Sequence, residues 1–136
     1  MSPLGITVDS NYVIDLLRLE RGAVSKAEEM DRRPDVKTLS TPVLYEVSAG
    51  LLFSRSRSEA AAFRAIAARF QVLPFDESAA TKAAEIRAEL MRLGRSKGHV
   101  DVMIAGIAAA GGHVLVTRDR DFRDIADTMG LRLEAY

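Results

Sequence analysis

Acidic residues follow apolar runs, or begin helical stretches, at several separated places in this sequence. Asp9 closes the first apolar run of the chain, and Asp119 and Asp121 come shortly after a later one. Glu46 and Asp101 each lie in the first turns of a stretch with helical spacing. Carboxylates that converge repel one another unless a cation neutralises them, and Mg²⁺ and Mn²⁺ bind through carboxylate and water oxygens. These acids therefore predict a divalent metal site, at which a water would be activated for attack on a phosphate.

Each acid also has a purely structural explanation. Asp9 and Asp121 could cap the helices that follow them, and Asp101 could interact with the positive end of a helix dipole. Glu46 is harder to explain in this way, because its helical neighbours are mostly apolar and a carboxylate at the edge of a core-facing stripe needs a partner. A separate explanation for every acid would require several coincidences at one edge of the fold, which favours the metal site.

The composition is that of one ordinary globular domain. The chain has 136 residues, of which 48% are hydrophobic and 28% charged, which argues against disorder. Lys plus Arg and Asp plus Glu number 19 each, so the net charge of zero excludes a simple polycationic nucleic-acid binder and leaves room only for a local basic rim. The chain has no cysteine, hence no disulfide framework and no thiolate zinc site.

No segment of the sequence has the pattern of a leader or a membrane span. The N-terminal stretch lacks the basic start and long apolar run of a signal peptide. No uncharged apolar run approaches the roughly 18 residues that a membrane span needs. We therefore expect a cytoplasmic protein that does not bind a membrane.

The order of the predicted elements is that of a parallel α/β sheet. Apolar runs predict five strands, at residues 5–9, 37–40, 70–75, 113–117 and 131–135. Helical spacing and helix start signals predict helices at residues 11–20, 23–33, 41–53, 58–69, 76–93, 100–110 and 121–129. Thr41 is the expected N-cap of the third helix, with Pro42 at its first helical position. Without repeats or linkers, residues 1–136 form one α/β sandwich, whose site should lie beyond the carboxyl ends of the strands.

Three stretches together carry a resemblance to a known family. VDSNYVIDLL near the start, STPVLYEVSAGL in the middle and VDVMIAGIAAAGGHVLVTRDRDF towards the end resemble the PIN-domain ribonucleases, in particular the VapC-type toxins of prokaryotic toxin–antitoxin pairs. The resemblance covers essentially the whole chain and implies a single-domain three-layer sandwich with strand order 3-2-1-4-5. Strands one and four are then neighbours, about 4.8 Å apart, which would bring Asp9 and Asp119 within reach of one ion.

The resemblance also implies an activity and a set of site residues. It implies a Mg²⁺- or Mn²⁺-dependent endoribonuclease in which acids hold the metal and a metal-bound water attacks the phosphodiester. The acids carried over by motif are Asp9, Glu46, Asp101 and Asp119, with Asp121 as a less certain addition. The expected supporting residues are Ser10, Asn11 and Thr117.

Two details of the motifs depart from the family pattern. Ser10 stands where the family usually has threonine, and it keeps a hydroxyl that can hold a carboxylate or water. A proline or polar spacer usually precedes the third acid, whereas this chain has KGHVD, which alters the expected rim of the site. We expect Ser10 and Asn11 to cap the first helix, and Asp15 to face away from the site as a surface residue.

The implied partners are RNA, an antitoxin and a second copy of the chain. We expect Arg118, Arg120 and Lys97 to contact RNA phosphates without reading the base sequence. An apolar patch is a candidate dimer surface, although its residues could equally be core: Leu51, Leu52, Phe53 and Phe63. The alternative function is a catalytically silent PIN-fold binding module that acts through protein or RNA contacts, and metal binding discriminates between the two.

Overall fold

A computed structural model describes residues 5–136 of the protein; residues 1–4, which the domain prediction includes, lie outside the described residues. The strands are β1 (Gly5–Val8), β2 (Val36–Ser40), β3 (Gln71–Leu73), β4 (Val114–Val116) and β5 (Arg132–Glu134). The helices are α1 (Ser10–Leu17), α2 (Arg21–Asp31), α3 (Thr41–Ser54), α4 (Arg57–Ala67), α5 (Glu77–Arg92), α6 (His99–Gly111) and α7 (Ala126–Met129). None of the helices in residues 5–136 is long and apolar enough to cross a membrane.

The five strands form one parallel sheet in the order β3-β2-β1-β4-β5, which confirms the predicted fold class and strand order. β1 lies at the centre, and its last residue, Val8, is opposite Val116 of β4. Because the strands are parallel, their carboxyl ends meet at one edge of the sheet. The residues that follow Val8 and Val116 therefore leave the sheet side by side.

Both faces of the sheet centre are buried, as expected when helices cover a parallel sheet on each side: one face is apolar, and the other carries Thr7 and Thr38 beside Leu115. Ile6 and Val8 of β1, Leu39 of β2 and Val116 of β4 are fully buried. Tyr12 of α1 is fully buried as well, and its hydroxyl donates a hydrogen bond to the carbonyl oxygen of Ala23 at 3.2 Å. This core fixes the positions from which the strand ends project.

Several predicted boundaries are wrong, and at the start of α1 and of α3 a capping side chain decides where the helix begins. Asp9 is the N-cap of α1, because its Oδ1 accepts a hydrogen bond from the backbone N–H of Tyr12 at 2.8 Å, so Ser10 is already helical and neither it nor Asn11 caps. Ser40, and not Thr41, caps α3. The helix predicted at 121–129 is shortened to α7, since residues 121–125 form turns.

α5 and α6 pack so closely that one position between them has no room for a side chain. A Cβ atom placed on Gly106 would lie 2.6 Å from the Cβ of Ala83 and 2.7 Å from the carbonyl oxygen of Ala79. Gly106 therefore sets the spacing of the two helices, and α6 is the helix that carries Asp101.

Gly106→Ala should lower the free energy of unfolding by about 1–3 kcal/mol, because the added methyl group must push α5 away from α6. Gly50→Ala is the matched control: it also lies inside a helix, but a Cβ there meets nothing within 4 Å. That control should raise stability by about 0.5–1 kcal/mol through the better helix propensity of alanine. Urea titration of both variants followed by circular dichroism measures the difference, and equal stabilities would contradict the close packing.

Candidate active site

Three carboxylates line one small pocket at the carboxyl ends of β1 and β4. Asp9 directly follows β1, Asp119 comes shortly after β4, and Asp101 lies in the first turn of α6. Thr117 and Phe122 belong to the same pocket. The structure therefore brings together three of the acids that the sequence singled out, from segments that are far apart in the chain.

Asp9 has two structural bonds and still faces the pocket. It is 8% exposed; its Oδ1 accepts the N–H of Tyr12, and its Oδ2 accepts the hydroxyl proton of Thr117. Burial raises the pKa of the Asp9 carboxyl above its ordinary value; these two hydrogen bonds oppose the shift, and the negative charges of Asp101 and Asp119 add to it. Asp9 is therefore the N-cap of α1 and also lines the pocket, while its role as a metal ligand stays a prediction.

Asp101 is half-buried, and it lies in the field of other carboxylates. Burial is the largest cause of its raised pKa, and the positive charge of Lys97 partly opposes it. The charges of Glu46, Asp119 and Asp121 raise the pKa further. The pocket therefore disfavours the ionised form of Asp101, as expected where like charges converge without a metal.

Glu46 lies at the side of this pocket and not inside it. Its side chain is exposed on α3, whereas Val43 and Val47 of the same helix are buried. Together with Gly50 and Ile14, Glu46 lines an adjoining groove between α1 and α3. The predicted carboxylate at the edge of an apolar stripe is thus solvated, and its negative charge still raises the pKa of Asp101.

Lys97 lies among the acids, although the sequence predicted it on an RNA-binding rim. Its side chain is 15% exposed, and its ammonium donates hydrogen bonds to Oδ2 of Asp119 and, at 2.7 Å, to Oδ2 of Asp121. Burial alone would raise the pKa of Asp119, but the bond from Lys97 and the backbone N–H of Asp121 hold it below its ordinary value. No three acidic or histidine side chains of residues 5–136 are arranged as a ready metal cluster.

The segment before Lys97 is bound to the loop that carries Asp119. The Arg95 guanidinium donates to the carbonyl oxygen of Asp121 at 3.0 Å and to the Asp124 carboxylate at 2.9 Å. The Lys97 ammonium also lies 5.7 Å from the centre of the Phe122 ring. The only sequence signal for these contacts is the unusual KGHVD spacer.

Asp15 is buried, so the prediction that it is a surface residue is wrong. Its Oδ2 accepts the hydroxyl proton of Tyr136 at 2.6 Å and pairs with Arg118 at 3.2 Å. The Tyr136 ring in turn packs edge-on against Tyr12, with ring centroids 5.0 Å apart. Asp15 therefore ties α1 to the residue that directly precedes Asp119. Tyr136 is 121 positions away in sequence, so no local pattern could predict the contact.

The remaining predicted site residues lie around the pocket. The Ser10 hydroxyl is buried and has no hydrogen-bond partner within residues 5–136, so Thr117 provides the hydroxyl that holds Asp9. Asn11 and Arg120 are exposed. Asp121 is also exposed, and it contacts the pocket through Lys97.

The proposed dimer patch is partly surface and partly core. Leu52 and Phe53 of α3 are 78% and 91% exposed. Phe63 is buried, and Leu51 is partly buried against the core. Only Leu52 and Phe53 are therefore available for contact with a second protein.

Comparison with known proteins decides the family. The model of the PIN domain family matches residues 6–128. The chain belongs to the PIN domain family. This confirms the family that the three sequence motifs indicated.

The PIN domain is similar to named endonucleases and to solved VapBC structures. Over 69 residues it is 45% identical to the tRNA(fMet)-specific endonuclease VapC of Shigella flexneri, and this match covers 50% of each sequence. The chain thus spans about half the length of the curated relatives it matches. It superposes on VapBC2 from Rickettsia felis bound to a promoter DNA fragment with a TM-score of 0.84, at 22% identity, over 97% of this chain and 98% of the other. For DNA-bound VapBC from Salmonella typhimurium the TM-score is 0.77, at 29% identity, with the same coverage.

Asp101→Asn should stabilise the metal-free PIN domain at neutral pH, because folding disfavours the charged form of this carboxyl. The pKa of the Asp101 carboxyl is higher in the folded protein than the value of about 3.8 expected in the unfolded one. This difference stabilises the fold below the unfolded pKa, and the stabilisation is lost as the pH rises through the folded pKa. The variant should therefore unfold at a higher urea concentration than the wild type at pH 7 in EDTA. The difference should shrink as the pH falls towards the unfolded value, and a variant that is less stable at pH 7 would contradict this reading of the pocket.

Tyr136→Phe should lower the free energy of unfolding by about 1–3 kcal/mol, because it keeps the ring but removes a hydrogen bond from the buried Asp15 carboxylate. Tyr45→Phe is the control, since Tyr45 is 68% exposed, and its effect should stay within about 0.5 kcal/mol. Thermal and urea unfolding of the two variants measure the difference. Equal effects would mean that the bond to Asp15 contributes nothing.

Proposed function

We propose that this PIN domain is a divalent-metal-dependent endoribonuclease and the toxin of a toxin–antitoxin pair. The observation that carries the proposal is the meeting of Asp9, Asp101 and Asp119 in one pocket, with the pKa values of Asp9 and Asp101 raised by burial and by neighbouring negative charge. Such a pocket needs a cation, and a silent site has no chemical need of these acids. The identity of 45% and 44% to two named VapC endonucleases, over half of the chain, adds support.

The donor set fits a hard divalent ion. All candidate ligands are carboxylate oxygens, which suit Mg²⁺ or Mn²⁺ and not a softer metal. Asp9, Asp101 and Asp119 would hold the ion, Glu46 would hold it or orient water from the adjoining groove, and Asp121 is an additional candidate. When bound, the ion would make water nucleophilic at neutral pH and neutralise charge on the phosphate.

The other residues of the site would hold the acids and bind the substrate. Thr117 and the backbone N–H of Tyr12 fix the orientation of the Asp9 carboxylate. Arg118 and Arg120 lie on either side of Asp119 in sequence and are exposed, and they would bind RNA phosphates without reading bases. Lys97 would reach a phosphate only after its ammonium leaves the acids.

We further propose an antitoxin protein and a second copy of the chain as partners. The motif resemblance to VapC-type toxins and the likeness to VapBC of Salmonella typhimurium support the antitoxin. The groove between α1 and α3, which contains Glu46 and Gly50, is the surface it would cover. The exposed pair Leu52 and Phe53 is the candidate contact for the homodimer.

Asp101→Asn should reduce RNA cleavage at least about 100-fold, because the pocket loses one of the charges that hold the metal. The assay follows cleavage of transfer RNA and of total cellular RNA by the purified protein with Mg²⁺ or Mn²⁺, and EDTA should abolish it. Asp127→Asn, an exposed acid on α7, is the matched control and should cleave like the wild type.

A calorimetric titration with Mn²⁺ separates the nuclease from the silent binding module. The nuclease predicts heat of binding for the wild type and for Asp127→Asn, and much less for Asp101→Asn. No heat from the wild type, together with no cleavage of either RNA, would overturn the nuclease and leave the binding module as the function.

A further inference from the structure

The pocket contains a positive charge that belongs to the chain itself. The Lys97 ammonium lies between the carboxylates of Asp119 and Asp121, and its charge opposes the raised pKa of Asp101. It is the only lysine of residues 5–136 with a hydrogen bond to a pocket carboxylate. Lys97 therefore neutralises the acids at the place where the proposed metal needs them.

The position of Lys97 is defined by several independent contacts. The side chain is 15% exposed and packs over the Phe122 ring, and Arg95 binds the same loop at Asp121 and Asp124. Two ion pairs on one ammonium, next to an aromatic face, make a well-defined site for a cation.

We propose that Lys97 is a built-in competitor of the divalent ion: its ammonium and the ion both require Asp119, so the ion binds only when the ammonium leaves. This inference rests on the proposed metal-dependent function and deepens it. Oδ1 of Asp119 accepts the backbone N–H of Asp121 and Oδ2 accepts the Lys97 ammonium, so a divalent ion bound to this carboxylate would lie close to an ammonium that repels it. The observed affinity for the metal is therefore the free energy gained by binding the ion in the pocket, reduced by the free energy lost when the ion pairs of Lys97 break.

Two consequences follow for the metal-free and the metal-bound protein. Without the ion, Lys97 relieves the repulsion between the acids and stabilises the fold. With the ion, the displaced ammonium becomes available to solvent at the edge of the site. A neutral side chain at position 97 should therefore make the metal-free protein less stable and the metal tighter.

Lys97→Met should tighten Mn²⁺ binding roughly tenfold in a calorimetric titration, since binding no longer breaks a partly buried ion pair. Its melting temperature in EDTA should be lower than that of the wild type, and the rise on adding Mn²⁺ should be larger. Lys97→Gln is the second variant, in case methionine disturbs the fold. Lys97→Arg keeps the charge and should bind Mn²⁺ as weakly as the wild type. Lys82→Met, which removes only an ion pair with Glu85 on α5, is the matched control.

The wild-type protein allows a direct test by NMR. The chain has four lysines, so protein labelled with ¹³C-lysine gives few Cε signals. Titration with Mg²⁺ should move the Lys97 signal towards that of a solvated lysine, with the same midpoint as metal binding, and leave Lys26, Lys37 and Lys82 unchanged.

The outcomes distinguish this inference from the proposed function. Mn²⁺ binding that depends on Asp101 but is no tighter in Lys97→Met and Lys97→Gln, or a Lys97 signal that does not move with Mg²⁺, would overturn the competition and leave the nuclease standing. Absence of metal binding in the wild type and in both neutral variants would overturn both.

Discussion

Repulsion between like charges is the constraint on which the rest of this structure depends. The parallel pairing of β1 with β4 makes Asp9 and the Asp119 loop leave the sheet side by side, and α6 adds Asp101 from a third direction. Folding must hold these carboxylates at close range and partly out of water, which opposes their ionisation. Hydrogen bonds and ion pairs around the pocket offset part of this electrostatic cost.

Asp9 and Asp119 are held in the pocket by different kinds of donor. Asp9 is held by neutral hydrogen-bond donors, from the first turn of α1 and from Thr117, which orient its carboxylate without removing its charge. Asp119 is held by the ammonium of Lys97, whose single positive charge is shared with Asp121. Burial outweighs the two neutral hydrogen bonds and raises the pKa of Asp9, whereas the bond from Lys97 and the backbone N–H of Asp121 outweigh burial and lower the pKa of Asp119.

The sequence was sufficient to predict the sheet and most of the pocket, because apolar runs and acids at their ends are local patterns. The strand order came from resemblance to a family and was confirmed by the parallel pairing. The burial of Asp15 was mispredicted, since helical phase cannot reveal that Tyr136 closes over it from the far end of the chain. The position of Lys97 was missed for a related reason: a basic residue in a loop is usually solvated, and only the folded loop of Asp119 brings it counter-charges.

Asp9 both caps α1 and lines the pocket, and this limits the directions from which a ligand can approach its carboxylate. A carboxylate has about four lone-pair directions, and the cap of α1 and the Thr117 hydroxyl occupy one on each oxygen. One direction on each oxygen remains, so a further contact needs no existing bond to break. The Asp9 carboxylate can therefore accept one further partner on each oxygen. The bond that caps α1 need not break, so the start of this helix keeps its angle to the sheet.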